Sequence, residues 1–245
     1  MTRPVPAATA ALRVLRFLSS RATPAPAAWI AGDLGLPRSS AYHLLRAMAA
    51  EGFVVHYPEE GTWGIGVAAW EVGQGFSRQE PLARLARAPL ARLVDAVGLS
   101  GHLAVLHGTD VLYLIEERAR GRDRLVSDVG VRLPAHLTAS GRAILAGLTP
   151  AQLRALYPSP AGLVQRTGRG PTTLGELRTV LAATRRLGHA VEDSEVTEGF
   201  ASVAVRVAAA PTPAAVALTW RSDVDPGALL ARLNATAAEI EARLR

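Results

Sequence analysis

PAAWIAGDLGLPRSSAYHLLRAMAAEGFVV, residues 26–55, reads as two short helices joined by a tight turn and followed by the edge of a strand. Pro26 suits a first helical position, where its missing N–H costs nothing. Ile30, Leu34 and Leu36 give the first helix and the turn an apolar inner side, and Gly35 permits the bend after Leu34. Pro37 then opens a second helix in which Ala41, Leu44, Leu45 and Met48 fall at i, i+3, i+4 and i+7, a single buried stripe. Opposite that stripe lie Ser39, His43 and Arg46, flanked by Arg38, Ser40 and Tyr42. A helix that buries one face and presents short polar, aromatic and cationic groups near its start fits a recognition helix in a DNA major groove. The alternative is a plain helical hairpin with a solvated face.

The neighbouring stretches extend this reading. Residues 9–19 form a helix with Ala11, Val14, Leu15 and Leu18 inward and Arg13 and Arg16 outward. FVVHY and TWGIG read as two short strands around Pro58-Glu59-Glu60-Gly61, a hairpin. Three helices and a two-stranded wing make a winged helix-turn-helix domain over residues 1–66. The wing tip is acidic, so it is not expected to grip phosphates through ion pairs. Residues 67–80 are moderately helical and form a linker helix. From there Leu82, Leu85, Leu90, Leu93 and Val97 recur at roughly helical spacing and open a second domain, 81–245.

Beyond Ser100 the period changes. HLAVLHG and DVLYLIEE are strands joined through Gly108-Thr109-Asp110, followed by a basic loop, RARGRDR. A helix is expected near Ala139, with Thr138 or Ser140 to cap it. Helices follow at about 150–156 and at 173–187, the latter opened by Thr172 or Thr173. Strands recur at HAVED, SVAVRVAAA and AAVALTW. A last helix, capped by Asp225 with Pro226 at its first position, turns Leu229, Leu233, Ile240 and Leu244 inward. Strands joined largely by hairpins and flanked by helices predict an α+β domain with an antiparallel sheet.

Composition narrows the classes. With 245 residues the chain can bury real cores. No apolar run is long enough to span a bilayer and no secretory pattern is present, which places the protein in the cytoplasm and away from the membrane. Cysteine is absent, which excludes disulfides and thiolate chemistry. Residues 1–80 hold seven Arg against six Asp and Glu, so little of the net charge of +6 sits on the DNA-reading part. Because phosphate contacts supply most affinity for a duplex, such a domain needs to act at least as a dimer.

LGLPRSSAYHLLRAMAAEGFV, GVRLPAHLTASGRAIL and RRLGHAVEDSEVTEGFASVAV, in that order and spacing, resemble the isocitrate lyase regulator (IclR) family of transcription factors over nearly the whole chain. The resemblance implies an N-terminal winged helix, a linker helix and a C-terminal, GAF-like effector-binding domain. It also implies homodimers or homotetramers on palindromic double-stranded DNA operators, and small-molecule effectors that are often carboxylates or aromatic compounds. Members often carry Arg at the position of His43, a basic residue in the wing, Lys in place of Arg142 (a mild change) and Cys in place of Ser202.

Matched to the family motif, Ala139, Ser140 and Gly141 line the effector site, with Glu192, Ser202, Thr219 and Arg221 facing it. The physical argument runs parallel. Unpaired N–H groups at a helix start attract an anion. Thr219 and Arg221, two apart on a strand, share one face, and a guanidinium binds a carboxylate bidentately. The expectation is an anionic effector with its carboxylate toward Arg221; the alternative is that Arg221 pairs with Glu192 or points to solvent.

Enzyme readings fare badly. His102, His107 and His136 lack a metal-ligand spacing. Ser140 lacks the context of a nucleophile elbow. Glu192, Asp193, Glu195 and Glu198 read as a solvated loop, and the glycines of TGRGP are too few to cradle phosphates. No cofactor is implied. The sequence therefore points to a ligand-responsive transcriptional regulator, more a repressor than an activator, with a degenerate winged helix that no longer reads DNA as the competing class.

Overall fold

The structure is a computed structural model, and it describes residues 5–79, 81–119, 121, 125, 127–158, 162–221 and 227–245, with side chains 76–79 left aside. The expected cap at Asp225–Pro226 and most of the basic loop (Arg120 and Arg122–Arg124) lie outside the described residues. The chain divides into two compact units, 1–79 and 80–245.

In the first unit, helix α1 (Pro6–Ser19), strand β1 (Ala25–Pro26), helices α2 (Ala27–Leu34) and α3 (Arg38–Ala50), strands β2 (Val54–Tyr57) and β3 (Thr62–Ile65) and helix α4 (Val67–Gln79) follow in order. Gly35 ends α2 in the left-handed region at φ 65°, which lets the chain turn sharply into α3. Pro37 precedes α3 as its cap residue, and Pro26 likewise precedes α2 rather than opening it. Ala41, Leu45 and Met48 are buried, and Leu44 is half-buried, so the helical stripe faces the core as its spacing requires. Arg13 remains exposed on α1 yet reaches the carbonyls of Asp33 and Leu34 at 3.3 and 3.4 Å, a cation on the negative end of α2.

Two features of this unit depart from the sequence reading. Phe17 is buried along with Val14 and Leu18, whereas Ala11 and Leu15 are only half-buried, so the inner face of α1 is rotated slightly from the one expected. A third strand, β1, pairs with β3 and makes the wing a three-stranded sheet in the order β1-β3-β2.

The second unit is an α+β domain. It contains helix α5 (Pro81–Val97), strands β4 (Ser100–His107), β5 (Asp110–Arg118) and β6 (Arg132–Pro134), helices α6 (Ala139–Ala146), α7 (Pro150–Leu156) and α8 (Leu174–Leu187), strands β7 (Ala190–Asp193), β8 (Phe200–Val207) and β9 (Ala214–Arg221), and helix α9 (Gly227–Leu244). The sheet is antiparallel throughout, in the order β6-β5-β4-β9-β8-β7. Among the described residues no helix is long and apolar enough to cross a membrane.

The alternation of strand side chains explains why the two faces differ. One face carries large aliphatic groups, among them Leu103, Val105, Val203, Val205, Val216 and Leu218, and is covered by α5 and α9. The other carries alanines at 104, 204, 215 and 217, and the short side chains let α6 lie close to the sheet with α8 behind it. Toward one end of that second face the alanines give way to polar residues. That change positions the site.

Candidate functional site

In the first unit the candidate surface is α3. Arg38, Ser39, Ser40, Tyr42, His43 and Arg46 are all exposed on it, opposite the buried stripe. In the adjoining wing, His56 and Trp63 face each other across β2 and β3, their rings stacked at 4.4 Å, while Glu59 and Glu60 stand exposed at the tip. The six positions therefore share one solvent-facing helix surface next to an acidic hairpin.

In the second unit a cavity lies between the polar end of the sheet and the start of α6. Its walls include Ala139 and Ser140 of α6, Glu192 of β7, Ser202 of β8 and Thr219 of β9, five of the seven positions expected from the sequence. Sequence reasoning had not assigned His102, Tyr113, Ser127, Leu133 or Phe200 to it, yet they also line it. The cavity with its open mouth spans about 440 Å³ of space between atoms, but only about 30 Å³ is free to the centre of a water molecule. This is room for a water or two, so any larger occupant must displace side chains.

The polar floor follows from strand register. Glu192 pairs with Ser202, and Ser202 with Thr219, so three side chains stand in a row across β7, β8 and β9. Ser202 Oγ donates to Glu192 Oε1 at 2.8 Å and lies 2.9 Å from Thr219 Oγ1. With the serine proton directed at the carboxylate, the threonine hydroxyl donates to the serine oxygen. The Glu195 amide donates to the second carboxylate oxygen at 3.3 Å. Burial pushes the Glu192 carboxyl up to about 7, against the pull of the Ser202 and Glu195 hydrogen bonds and of the Arg142 charge, with the Glu195 charge adding to the rise.

On the same face of the sheet, on β4 beside β9, His102 is buried, with Nε2 2.9 Å from Ser127 Oγ and its ring edge-on to Tyr113 at 5.5 Å. Burial, with the Arg118 charge added, lowers its pKa to about 4, so the imidazole is neutral. Burial and then the Glu192 charge raise the Tyr113 phenol well above its ordinary range, against a hydrogen bond with Ser140. The cavity thus holds one titrating carboxyl among neutral donors and acceptors.

Glu192→Gln isolates that carboxyl. Its folded pKa lies above the unfolded value, so its contribution to stability is complete below about 4.5 and is lost as pH rises through about 7. The Gln variant is expected to gain on the wild type by up to about 3 kcal/mol between pH 5 and pH 8. Urea unfolding at both pH values measures the difference, and parallel pH curves for the two proteins would refute it.

The α6 start is capped by its own chain: Thr138 Oγ1 accepts from the Gly141 amide at 2.9 Å. The amides of Ala139 and Ser140 have no protein acceptor among the described residues. Gly141 does not line the cavity. A Cβ there would fall 2.2 Å from the carbonyl oxygen of Ala135, so its role is close packing against the preceding loop.

Arg221 also falls outside the cavity wall. It shares the strand face of Thr219 but lies at the exposed end of β9, its guanidinium 5.0 Å over the Phe200 ring, and it lines a neighbouring depression that shares Phe200 and Thr219. Nor is Glu192 its partner; that carboxylate is held by Ser202 and Glu195. Glu195 is no member of a solvated loop. It takes both terminal nitrogens of the buried Arg142, with Nη1 to Oε1 at 3.0 Å and a close contact from Nη2 to Oε2. The three histidines noted in the sequence go to separate partners: His102 to Ser127, His107 to Arg132 and His136 to the Val164 carbonyl.

Comparisons with known proteins address both units. The family model for the IclR helix-turn-helix domain matches residues 7–58, and that for the bacterial transcriptional regulator IclR C-terminal matches residues 76–240. The HTH-type transcriptional regulator XynR of Escherichia coli is 31% identical over 202 residues, 80% of this chain and 78% of its own length. The acetate operon repressor of Salmonella typhimurium is 29% identical over 83% of this chain and 75% of its own. A crystal structure of an IclR homologue from Microbacterium hydrocarbonoxydans, complexed with 4-hydroxybenzoate, superposes with a TM-score of 0.81 at 24% identity, covering 98% of this chain and 99% of that one.

Proposed function

The chain belongs to the IclR family, a DNA-binding transcriptional regulator of the repressor type with a C-terminal effector-binding domain, and we propose that it binds a palindromic operator as a dimer or tetramer and senses a small organic acid. The effector half of this reading is carried by one observation. A single cavity brings two unpaired helix-start amides together with a carboxyl poised near neutrality. A carboxylate directed at the Ala139 and Ser140 amides meets oriented donors. Protonated Glu192 then donates to it instead of repelling it. Tyr113, Leu133 and Phe200 hold the hydrocarbon body, and Arg221 stands at the outer rim, where its charge favours the approach of an anion. The homologue complexed with 4-hydroxybenzoate makes an aromatic acid of that kind a first probe.

On the DNA side, Arg46 and its neighbours on α3 suit a major groove. Arg46→Ala is expected to weaken specific operator binding by about 1–3 kcal/mol, the range for a good base contact, with little effect on stability. The measurement is a gel shift of the fragment upstream of its own reading frame at moderate salt. Equal affinities would remove α3 from the interface. No shift by the wild type would favour the competing reading, a ligand-sensing protein whose winged helix no longer reads DNA, which His43 and the exposed Glu59 and Glu60 support.

Assembly follows from the charge of the first unit. A two-fold pair doubles the phosphate contacts and reads a palindrome. Helix α4 leaves Val67 and Trp70, three residues apart and so on one side of the helix, exposed, an apolar surface suited to a second copy. Light scattering at micromolar concentration is expected to report at least a dimer; a monomer would count against this assembly.

A further inference from the structure

Helix α6 begins at the effector cavity and ends at a second hollow. About 260 Å³ of that hollow is free to the centre of a water molecule, against about 30 Å³ in the effector cavity. Its wall includes Ala146 and Gly147 at the end of α6, Thr184 and Arg185 of α8, His189 just before β7 and Arg206 of β8. Arg185, His189 and Arg206 can carry positive charge, and no Asp or Glu lines the hollow.

The two guanidinium groups meet at one peptide. Arg185 Nε donates to the Ala146 carbonyl at 2.7 Å. At the next residue, Gly147, an added Cβ would fall 2.7 Å from the guanidinium carbon of Arg206, so the glycine leaves the room that this side chain occupies. Two like charges are thus brought side by side. Among the described residues Arg206 has no hydrogen bond or ion pair, and Arg185 has no carboxylate partner. Glu241 of α9 accepts from the Ala208 amide and pairs with neither.

Helix ends account for only part of this charge. The C-terminal end of a helix carries about half a negative charge, and Arg185 answers that of α6. The end of α8 is closed locally: the Gly188 amide donates to the Thr184 carbonyl at 2.9 Å, and His189 Nδ1 lies 3.1 Å from the Leu187 carbonyl oxygen. Even with both ends counted, about one negative charge faces two guanidinium charges. Arg206 is left over.

We infer that this hollow is a site for a small phosphate, free or as the terminal group of a phosphate monoester, held between Arg185 and Arg206. Planar guanidinium forks match pairs of phosphate oxygens, and charge-assisted bonds of this kind are about twice as strong as neutral ones. Arg185 spends only Nε on Ala146, so its two terminal nitrogens remain for the anion. The double charge matters: a lone carboxylate answers one guanidinium and leaves the other beside it unpaired. This site does not depend on the effector reading, since none of its wall residues lines the effector cavity.

The test uses the full chain with inorganic phosphate, glycerol 1-phosphate, acetate and chloride at constant ionic strength. Nitrogen–proton NMR is expected to show saturable shifts of the Gly147, Gly188 and His189 amides with phosphate, and affinities for acetate and chloride at least about tenfold weaker. Arg206→Gln, on an exposed side chain, is expected to weaken phosphate by about tenfold, the equivalent of one charge-assisted hydrogen bond. Arg186→Gln makes the same charge change one residue from Arg185 but off the wall, and a screened exposed charge there is expected to alter affinity by less than about twofold. Gly147→Ala keeps every charge, but its Cβ drives the Arg206 guanidinium aside, so a loss of about tenfold is expected with the unfolding midpoint nearly unchanged. Tighter binding of glycerol 1-phosphate than of the free ion identifies a monoester as the occupant, and the reverse identifies inorganic phosphate. No saturable shift, acetate or chloride as good as phosphate, Arg186→Gln as damaging as Arg206→Gln, or full affinity in Gly147→Ala would each overturn the assignment.

Discussion

Gly141→Ala is expected to destabilise the effector-binding domain by several kcal/mol and, in ordinary conditions, to deplete folded protein. An added Cβ would fall 2.2 Å from the Ala135 carbonyl oxygen, 2.4 Å from its Cα and 2.6 Å from its carbonyl carbon, all backbone atoms. A clash with a flexible side-chain tip can relax; one with a buried backbone must move α6 or the loop before it. Overpacking of a core costs about 1–3 kcal/mol when side chains give way, and more where the backbone must move. Here movement would also pull Thr138 off the Gly141 amide and open the hydrogen bond between the Leu137 amide and the Pro134 carbonyl. Denaturant unfolding of the variant decides it: a midpoint within experimental error of the wild type would show that α6 does not seat against Ala135. Gly147→Ala is the useful contrast. The atoms in its way are the flexible end of the Arg206 side chain, so the cost should be small.

The role of Gly141 shows how far a sequence carries. Its position in the motif was visible and placed it beside the effector, but a glycine at a helix start looks the same whether it exposes an amide or admits a neighbouring backbone. Only the approach of Ala135 separates the two. Periodicity did better where one element sufficed. The stripe of α3 and its exposed face were legible because both faces of a single helix are written at fixed intervals. Strand β1 was not: two residues leave no period, and its pairing with β3 is non-local. The row Glu192–Ser202–Thr219 lay in between. Parity along β9 fixed which of its residues face together, yet which neighbours they meet depends on the register of three strands. His102 and Tyr113 complete the wall from β4 and β5, and the available signal was weak: His102 stands two positions from Ala104, while Tyr113 meets Ala104 only through the pairing of β4 with β5. Arg221 had the right parity and the wrong depth, because burial along a strand changes from one pair to the next.

Arg142 is the second place where a single change should be costly, and the sequence made it look interchangeable with lysine. Its side chain is 4% exposed, and four of the five N–H directions of its guanidinium are used. Nε donates to the His136 carbonyl at 2.8 Å and Nη1 to the Val191 carbonyl at 3.0 Å, while Nη1 and Nη2 together grip Glu195. One residue of α6 thereby ties the loop before the helix to strand β7 and to the turn after it, the three pieces that bring Ser140 and Glu192 to the same cavity. Arg142→Leu keeps much of the volume but strands the Glu195 carboxylate and two carbonyls, and breaking a buried pair from one side costs about 3–5 kcal/mol. Arg142→Lys keeps the charge but presents donors from one point, which cannot serve both carboxylate oxygens and two carbonyls in a plane; a loss of about 1–2 kcal/mol is expected, on the scale of the hydrogen bonds forgone. The double variant Arg142→Leu, Glu195→Leu removes the stranded charge and should recover part of what Arg142→Leu loses. Chemical unfolding of the wild type, Arg142→Leu, Glu195→Leu and the double variant gives the coupling directly. Additive losses across the cycle, with lysine as good as arginine, would show that the pair does not hold the loop to the sheet.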